Sequence, residues 1–145
     1  GRRILEVGCG RGIALRALSD SCRPSHIIGL DIDSALLAQA REDLRNSHIE
    51  AELIEADARA VPLPDESVDI VIDFGTCYHI SRPERALSEI ARVLSPGGMF
   101  VCETPVSQLL AHPTRWSFGR RLPWPAAPSL VPHRNSVLWS SWVKK

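Results

Sequence analysis

Short apolar runs alternate with amphipathic stretches along the first hundred residues. Ile4, Leu5 and Val7 make an apolar run of strand length, suited to burial on both faces, with Glu6 as its one charge. Ile13, Ala14, Leu15, Ala17 and Leu18 then set a helical pattern from about Gly12 to Ser19, with Pro24 in the loop behind it. His26 to Leu30 is a second strand run and ends on Asp31-Ile32-Asp33. Leu36, Leu37, Ala40 and Leu44 recur at helical spacing and predict a helix over Ser34 to Asn46, with Arg41, Glu42, Asp43 and Arg45 on its solvated face. Glu52 to Glu55 reads as a short third strand near a sheet edge. Two prolines make Val61 to Ser67 a rigid loop, because each removes a backbone donor, and Val68 to Phe74 follows as a fourth strand. Ser81-Arg82-Pro83-Glu84 reads as a capping box with proline in the first turn. The helix it opens has Ala86, Leu87, Ile90, Ala91 and Leu94 on one face, Ser95-Pro96-Gly97-Gly98 ends it, and Met99 to Glu103 is a fifth strand. Strands alternating with helices predict an α/β fold with a mostly parallel sheet and helices on both faces.

After Glu103 the pattern changes. The formal net charge of zero conceals two opposite halves. Residues 1–103 hold 11 basic and all 17 acidic side chains, a net of −6, whereas residues 104–145 hold six basic side chains and no acid. That last segment also holds all four tryptophans and six of the 11 prolines. The division predicts an α/β body over 1–103 and a basic Pro/Trp-rich segment over 104–145 that completes or covers the same domain. Ser136 to Val143 has strand propensity, Leu122 to Pro132 is too rich in proline for a regular element, and Gln108 to Ala111 suggests a short helix.

At 145 residues the chain is long enough for one real core. It has no apolar run near the roughly 18–20 residues of a membrane span and opens on charged residues without a signal-peptide pattern. Cys9, Cys22, Cys77 and Cys102 lack C-x-x-C spacing, so buried free thiols in a reducing cytoplasm are expected, with no disulfide and no metal site.

The candidate chemistry starts at the end of the first strand. Gly8, Gly10 and Gly12 stand at alternate positions between a strand and a helix. Missing side chains let the backbone turn sharply and let a ligand approach the peptide N–H groups and the helix N-terminus. The plain alternative is a tight turn with no ligand. A dinucleotide fingerprint starting at Gly8 would end on Ile13, too bulky for close helix–strand packing. The match is E-x-G-x-G-x-G, from Glu6 to Gly12. A carboxylate before the turn repels a pyrophosphate and suits a ligand with an ammonium group. Asp31, at the end of the second strand, is placed to accept from both hydroxyls of a ribose, and Asp33 to cap the following helix. Gly75 to Ile80 is the loop beyond the fourth strand, where ligands of open α/β sheets bind.

The glycine segment resembles motif I of class I S-adenosylmethionine (SAM)-dependent methyltransferases. PLPDESVDIVI, from Pro62 to Ile72, resembles the LPFPDxSFDVV signature of the branch containing ubiquinone and menaquinone C-methyltransferases. SEIARVLSPGGMFV, from Ser88 to Val101, resembles that family's xEixRVLKPGGxxv segment. The resemblance runs from Ile4 to Glu103 and implies the Rossmann-like class I methyltransferase fold. It implies that Glu6, Gly8, Cys9 and Gly10 wrap the methionine and ribose part of SAM, and that Asp31, Ile32 and Phe74 belong to the same cofactor site. By the same likeness Asp57 accepts from the adenine amino group, and Ala58 offers its N–H to the ring. The family usually carries helices upstream and closes its sheet with two further strands, one antiparallel. Three residues precede Ile4 and only Ser136 to Val143 suits a closing strand. A fragment or minimal version is therefore expected, lacking the N-terminal helical cap and one C-terminal strand.

The implied activity is methyl transfer from SAM to a small-molecule acceptor by in-line displacement, with S-adenosylhomocysteine (SAH) as product. Placement and desolvation supply most of such an acceleration, so neither a metal nor a covalent nucleophile is called for. Where the acceptor must lose a proton, His79 is the candidate base, since an imidazole titrates near neutrality; a packing role in its loop is the competing reading. Tyr78 is a second candidate, through a polar or cation–π contact to the sulfonium. Two other classes stay open: a non-catalytic SAM-binding or scaffold module, and a nicotinamide-dependent oxidoreductase, against which Glu6 and the glycine spacing count. The basic segment raises nucleic acid as a partner. With no Asn/Asp-Pro-Pro-aromatic motif in the chain, none is expected.

Overall fold

The structure is a computed structural model and describes residues 1–103, 131–132 and 138–144. In chain order it runs β1 (Arg3–Val7), α1 (Ile13–Cys22), β2 (His26–Asp31), α2 (Ser34–Asn46), β3 (Glu52–Glu55), β4 (Val68–Asp73), α3 (Pro83–Val93), β5 (Leu94–Cys102), β6 (Val131–Pro132) and β7 (Leu138–Val143). The strands form one sheet in the order β3-β2-β1-β4-β5-β7-β6. β1 to β5 are parallel, and β7 runs antiparallel to both β5 and β6. The strand order reverses beside β1, which pairs with β2 on one side and β4 on the other. That arrangement opens a crevice at the strands' C-terminal ends.

Burial on both faces follows from strand alternation. Leu5 and Val7 of β1 pack with Ile28, Leu30, Val68, Val71 and the α3 residues Ala86, Ile90 and Val93. Ile4, Ile27 and Ile72 face the other way, against Leu15 of α1 and Leu37 and Leu44 of α2. Glu6 shares the Ile4 face by the same alternation, so its carboxyl lies on the α1 side.

Several boundaries differ from the sequence expectation. α1 continues to Cys22, because nothing from Ser19 to Cys22 breaks a helix; it stops where Arg23 turns left-handed (φ 45°) before Pro24. The capping box at Ser81 does not form. Arg82 takes the cap position at φ 55° with no side-chain cap, while the Ser81 hydroxyl and carbonyl both accept from Arg59 Nη1 (2.9 and 3.3 Å). Leu87 and Ala91 are exposed, and Val93 takes their place in the core stripe. Ser95 to Gly98 is not a loop but the bulged start of β5. Its pairing with β4 jumps from Val68↔Leu94 to Ile70↔Met99, and Gly97 adopts φ 76°. The Gly97 N–H donates to the Lys144 carbonyl (2.8 Å), and the Lys144 N–H donates to the Gly98 carbonyl (3.0 Å).

At the other end of the sheet, the segment read as a closing strand contains β7, and the second closing strand is reduced to the two residues of β6. Proline is tolerated there because an edge position asks for no donor from it. The helix expected at Gln108 to Ala111 lies outside the described residues. Among the described residues, no helix is long and apolar enough to cross a membrane.

Candidate functional site

The glycine turn is held by β2. The N–H groups of Gly8 and Cys9 both donate to the Leu30 carbonyl (2.7 and 3.0 Å), which folds the chain over the end of that strand. Gly8 sits at φ 70°, and a Cβ there would fall 1.8 Å from Thr76 Oγ1. Glycine is therefore required for the loop after β4 to close on the turn, where the Thr76 hydroxyl donates to the Val7 carbonyl (3.2 Å). Gly10 is the opposite case. It is also left-handed (φ 51°), but a Cβ there would meet nothing within 4 Å. Its missing side chain leaves an open cradle.

Asp31 stands under that cradle. Its Oδ2 accepts the Gly10 N–H (2.7 Å) and its Oδ1 the Asp33 N–H (2.9 Å). Asp33 caps α2 as expected, accepting from the N–H groups of Ala35 and Leu36 (2.9 and 3.1 Å). The Ala56 N–H donates to the Asp31 carbonyl (2.9 Å), which brings the end of β3 and Asp57 alongside.

Glu6 lies beneath the turn and is only 3% exposed. Burial pushes its pKa up to about 8; the Leu15 N–H pulls it down, and Asp31 and Asp73 push it further up. Its Oε2 is buried without a hydrogen-bond partner. At neutral pH this carboxyl mostly keeps its proton, and a cation brought close to it would draw it toward the ionised form.

Two residues that shape this region escaped the sequence reading. Asp73, at the end of β4, is 1% exposed and accepts from the N–H groups of Gly75 (2.9 Å), Thr76 (2.6 Å) and Cys77 (3.1 Å), fixing the loop that carries Tyr78 and His79. Its signal was an acid closing a strand run, as Asp31 closes β2. Arg59 is the other. Its side chain donates to both Asp57 oxygens and its backbone N–H to Oδ1 (2.8 Å). The guanidinium, as hydrogen-bond donor first, holds the Asp57 carboxyl down at about 2. A cation two residues after the acid was the available signal. Asp57 is thus already engaged on both oxygens within the protein.

A cleft of about 340 Å³ unites most of the expected cofactor residues: Gly8, Asp31, Ile32, Asp57, Ala58 and Phe74. Ile32 and Phe74, 66% and 38% exposed, present apolar surface at this cleft. His79 also lines it, and its N–H donates to the Thr76 carbonyl (3.0 Å). Gly10 and Glu6 are not among the residues that line the cleft; Gly10 is tied to it by its N–H, which donates to Asp31. Cys9 is brought to the turn only by its backbone. Its thiol packs into the core against Gly29, where burial first and Glu6 next push its pKa up to about 12. Tyr78 does not line the cleft, although its ring centroid is 4.2 Å from that of His79; it lines a separate apolar hollow. Of the four free cysteines, Cys9, Cys77 and Cys102 are buried and Cys22 is exposed, so the expectation of buried thiols fails at Cys22, on the last polar turn of α1. A larger hollow of about 750 Å³, lined by His26, Arg41, Arg45 and His48, lies at the N-terminal starts of β2 and β3. Ligands of open α/β sheets bind at the opposite end, so its size does not make it the site.

The strand order found here, with a glycine turn after β1 and acids at the ends of β2 and β3, is that of an α/β domain of the methyltransferase type. The chain belongs to the methyltransferase domain family, which it matches over residues 5–102. It is 40% identical over 110 residues to a probable SAM-dependent methyltransferase of Mycolicibacterium smegmatis, covering 72% of this chain and 38% of that protein. It is 43% identical over 103 residues to the ubiquinone/menaquinone biosynthesis C-methyltransferase of Methylobacterium nodulans, covering 69% of this chain and 40% of the relative. The crystal structure of the YcgJ protein from Bacillus subtilis superposes with a TM-score of 0.66 at 28% identity, covering 79% of this chain and 51% of that one. The chain thus spans about two fifths of the length of the curated relatives it matches. The family's methyl donor is SAM.

Proposed function

We propose that this domain binds SAM in the cleft over β1, β2 and β4 and transfers its methyl group to a small-molecule acceptor. The observation that carries the reading is the open cradle at Gly10 directly above the Asp31 carboxylate, with the orphaned Glu6 acceptor beneath the same turn. SAM fits that set, offering a ribose diol for Asp31, an ammonium group for the buried acid and a planar base for the apolar surface of Ile32 and Phe74. When bound it supplies a methyl group already activated on a sulfonium, displaced in line with SAH as the product.

The chain's own residues then have modest tasks. Asp31 keeps lone pairs for ligand hydroxyls while its bond to Gly10 fixes the turn. Asp57, kept ionised by Arg59, remains an acceptor at every physiological pH. Asp73 holds the loop after β4 in one shape, so that His79 faces the cleft and can take a proton from a hydroxyl, phenol or carbon acid. Tyr78 lines a separate hollow on the other side of that loop, so the contact to the sulfonium expected of it is not part of this reading. Buried thiols at Cys9, Cys77 and Cys102 suit a reducing compartment, and we place the reaction in the cytoplasm with no nucleic-acid partner. The test is methyl transfer from labelled SAM to a panel of quinones, phenols and amines. Labelled product supports the reading; SAH binding with no transfer to any of them would mark a SAM-binding module instead.

A further inference from the structure

Two segments of the cleft wall follow strands that are not neighbours. Asp57 to Arg59 follows β3 and Gly75 to Ile80 follows β4, and β2 and β1 stand between those strands in the sheet. Arg59 joins the two segments by its side chain. The chain turns after β3, where the Ala60 N–H donates to the Asp57 carbonyl (2.9 Å). The turn brings the Arg59 N–H (2.8 Å) and Nε (2.8 Å) to Asp57 Oδ1, and Nη2 (2.5 Å) to Oδ2. The remaining nitrogen, Nη1, reaches 22 residues along the chain to the hydroxyl (2.9 Å) and carbonyl (3.3 Å) of Ser81. An ionised carboxylate has about four lone-pair positions, so the three N–H groups on Asp57 leave one for a donor from a ligand. The pair is partly shielded from water, with the Arg59 and Asp57 side chains 27% and 31% exposed.

The Ser81 end of the loop needs such a partner. Asp73 holds the loop's first residues through the N–H groups of Gly75, Thr76 and Cys77. Its last residues enter α3 at Arg82, which is left-handed (φ 55°) and offers no side-chain cap. A non-glycine residue in that conformation is held by contacts from elsewhere. Ser81 is exposed and does not line the cleft, whereas His79 and Ile80 just before it do. We propose that Arg59 is a positioning residue: its one planar guanidinium fixes the Asp57 carboxylate for a single ligand N–H and holds the Ser81 corner, so that recognition at Asp57 and the placement of the His79 loop depend on each other. The proposal rests on the SAM reading for the identity of that ligand. Lysine, a point charge on a flexible stem, lacks the planar fork that serves both partners at once.

The experiment titrates SAH by calorimetry into the 145-residue chain and into Ser81→Ala, Arg59→Met, Arg59→Lys and the Ser81→Ala, Arg59→Met double variant. Ser81 lies outside the cleft wall, so its hydroxyl acts on SAH through Arg59. Ser81→Ala should weaken SAH binding by roughly two- to tenfold, the range of one hydrogen bond. Arg59→Met should weaken it by about tenfold or more, and Arg59→Lys, which keeps the charge, should recover little of that loss. In the Arg59→Met background, Ser81→Ala should cost nothing further. A silent Ser81→Ala, losses that add in the double variant, or full rescue by lysine would overturn the proposal while leaving the SAM reading intact. Should the wild-type chain not bind SAH, the SAM reading falls separately, and hydrogen exchange of the ligand-free chain decides the proposal. Ser81→Ala should then speed exchange of the Arg59 amide, which is bonded to Asp57, and Arg59→Met that of the His79 amide, which is bonded to the Thr76 carbonyl. Unchanged rates at both amides would overturn it.

Discussion

Gly10 and Asp31 are joined across 21 residues by a single hydrogen bond, from the Gly10 N–H to Asp31 Oδ2 at 2.7 Å. The bond ties the apex of the glycine turn to the end of β2. It points one carboxylate oxygen at the turn while the other receives the Asp33 N–H, so the acid is oriented before any ligand arrives. Such preorganisation reduces the ordering cost of binding.

The glycines of the turn separate by what stands beside them. A Cβ at Gly8 collides with Thr76 Oγ1, whereas one at Gly10 enters open space. Gly8→Ala should therefore lower stability, visible as a reduced midpoint in urea, and Thr76→Gly in the same chain should recover part of the loss. Gly10→Val should leave a folded protein that no longer binds SAM, because the branched side chain fills the cradle. Unchanged SAM affinity in a folded Gly10→Val chain would make the turn structural only.

Glu6 gives a pH signature. Its pKa is raised in the fold, to about 8 from an ordinary value of 4.5, so between those values the native state holds more proton than the unfolded chain. The stabilising effect of the protonated form is complete below pH 4.5 and is lost as pH rises toward and through 8, with a slope of at most ~1.4 kcal/mol per pH unit. Urea midpoints of the ligand-free protein should fall from pH 5 to pH 8, and Glu6→Gln should flatten that dependence. A ligand ammonium near Glu6 lowers the pKa again, so SAH binding at pH 7 should release up to one proton, read by calorimetry in buffers of different ionisation enthalpy.

His79 lines the candidate cleft and shares its loop with the residues that close on the turn. His79→Ala should reduce turnover toward an acceptor that must lose a proton, by up to the 10²- to 10⁴-fold of a positioned base. It should also weaken SAM binding modestly, since one loop borders both partners. A full-rate variant removes His79 from the mechanism.

The strands and the residues that meet at the candidate cleft were legible because period and punctuation agree there. β1 to β4 are apolar runs bounded by glycine, proline or acid, and Asp33 stands before a clean helical stripe, so α2 was placed end for end. What stayed hidden depends on contacts between distant residues. Asp57 reads as a free acceptor until Arg59 is seen to hold it, and Ser81 reads as a cap until the same guanidinium claims its hydroxyl. Asp73 looks like one more strand-end acid, although its three N–H donors make it the organiser of the loop. The bulge at Ser95 to Gly98 requires Lys144, nearly fifty residues on, as its partner. Cys9 sits inside the motif by sequence, but its thiol points into the core by geometry.

The most direct test of SAM binding over β1 and β2 is calorimetric titration of SAH into the wild-type chain and into Asp31→Ala and Asp33→Ala. Charge-assisted hydrogen bonds contribute roughly 1.5–3 kcal/mol, so Asp31→Ala should weaken SAH binding by about 10- to 150-fold. Asp33→Ala removes a helix cap and should cost about 0.5–2 kcal/mol of stability with little change in affinity. The opposite ranking, or SAH affinity indifferent to both substitutions, would contradict the site described here.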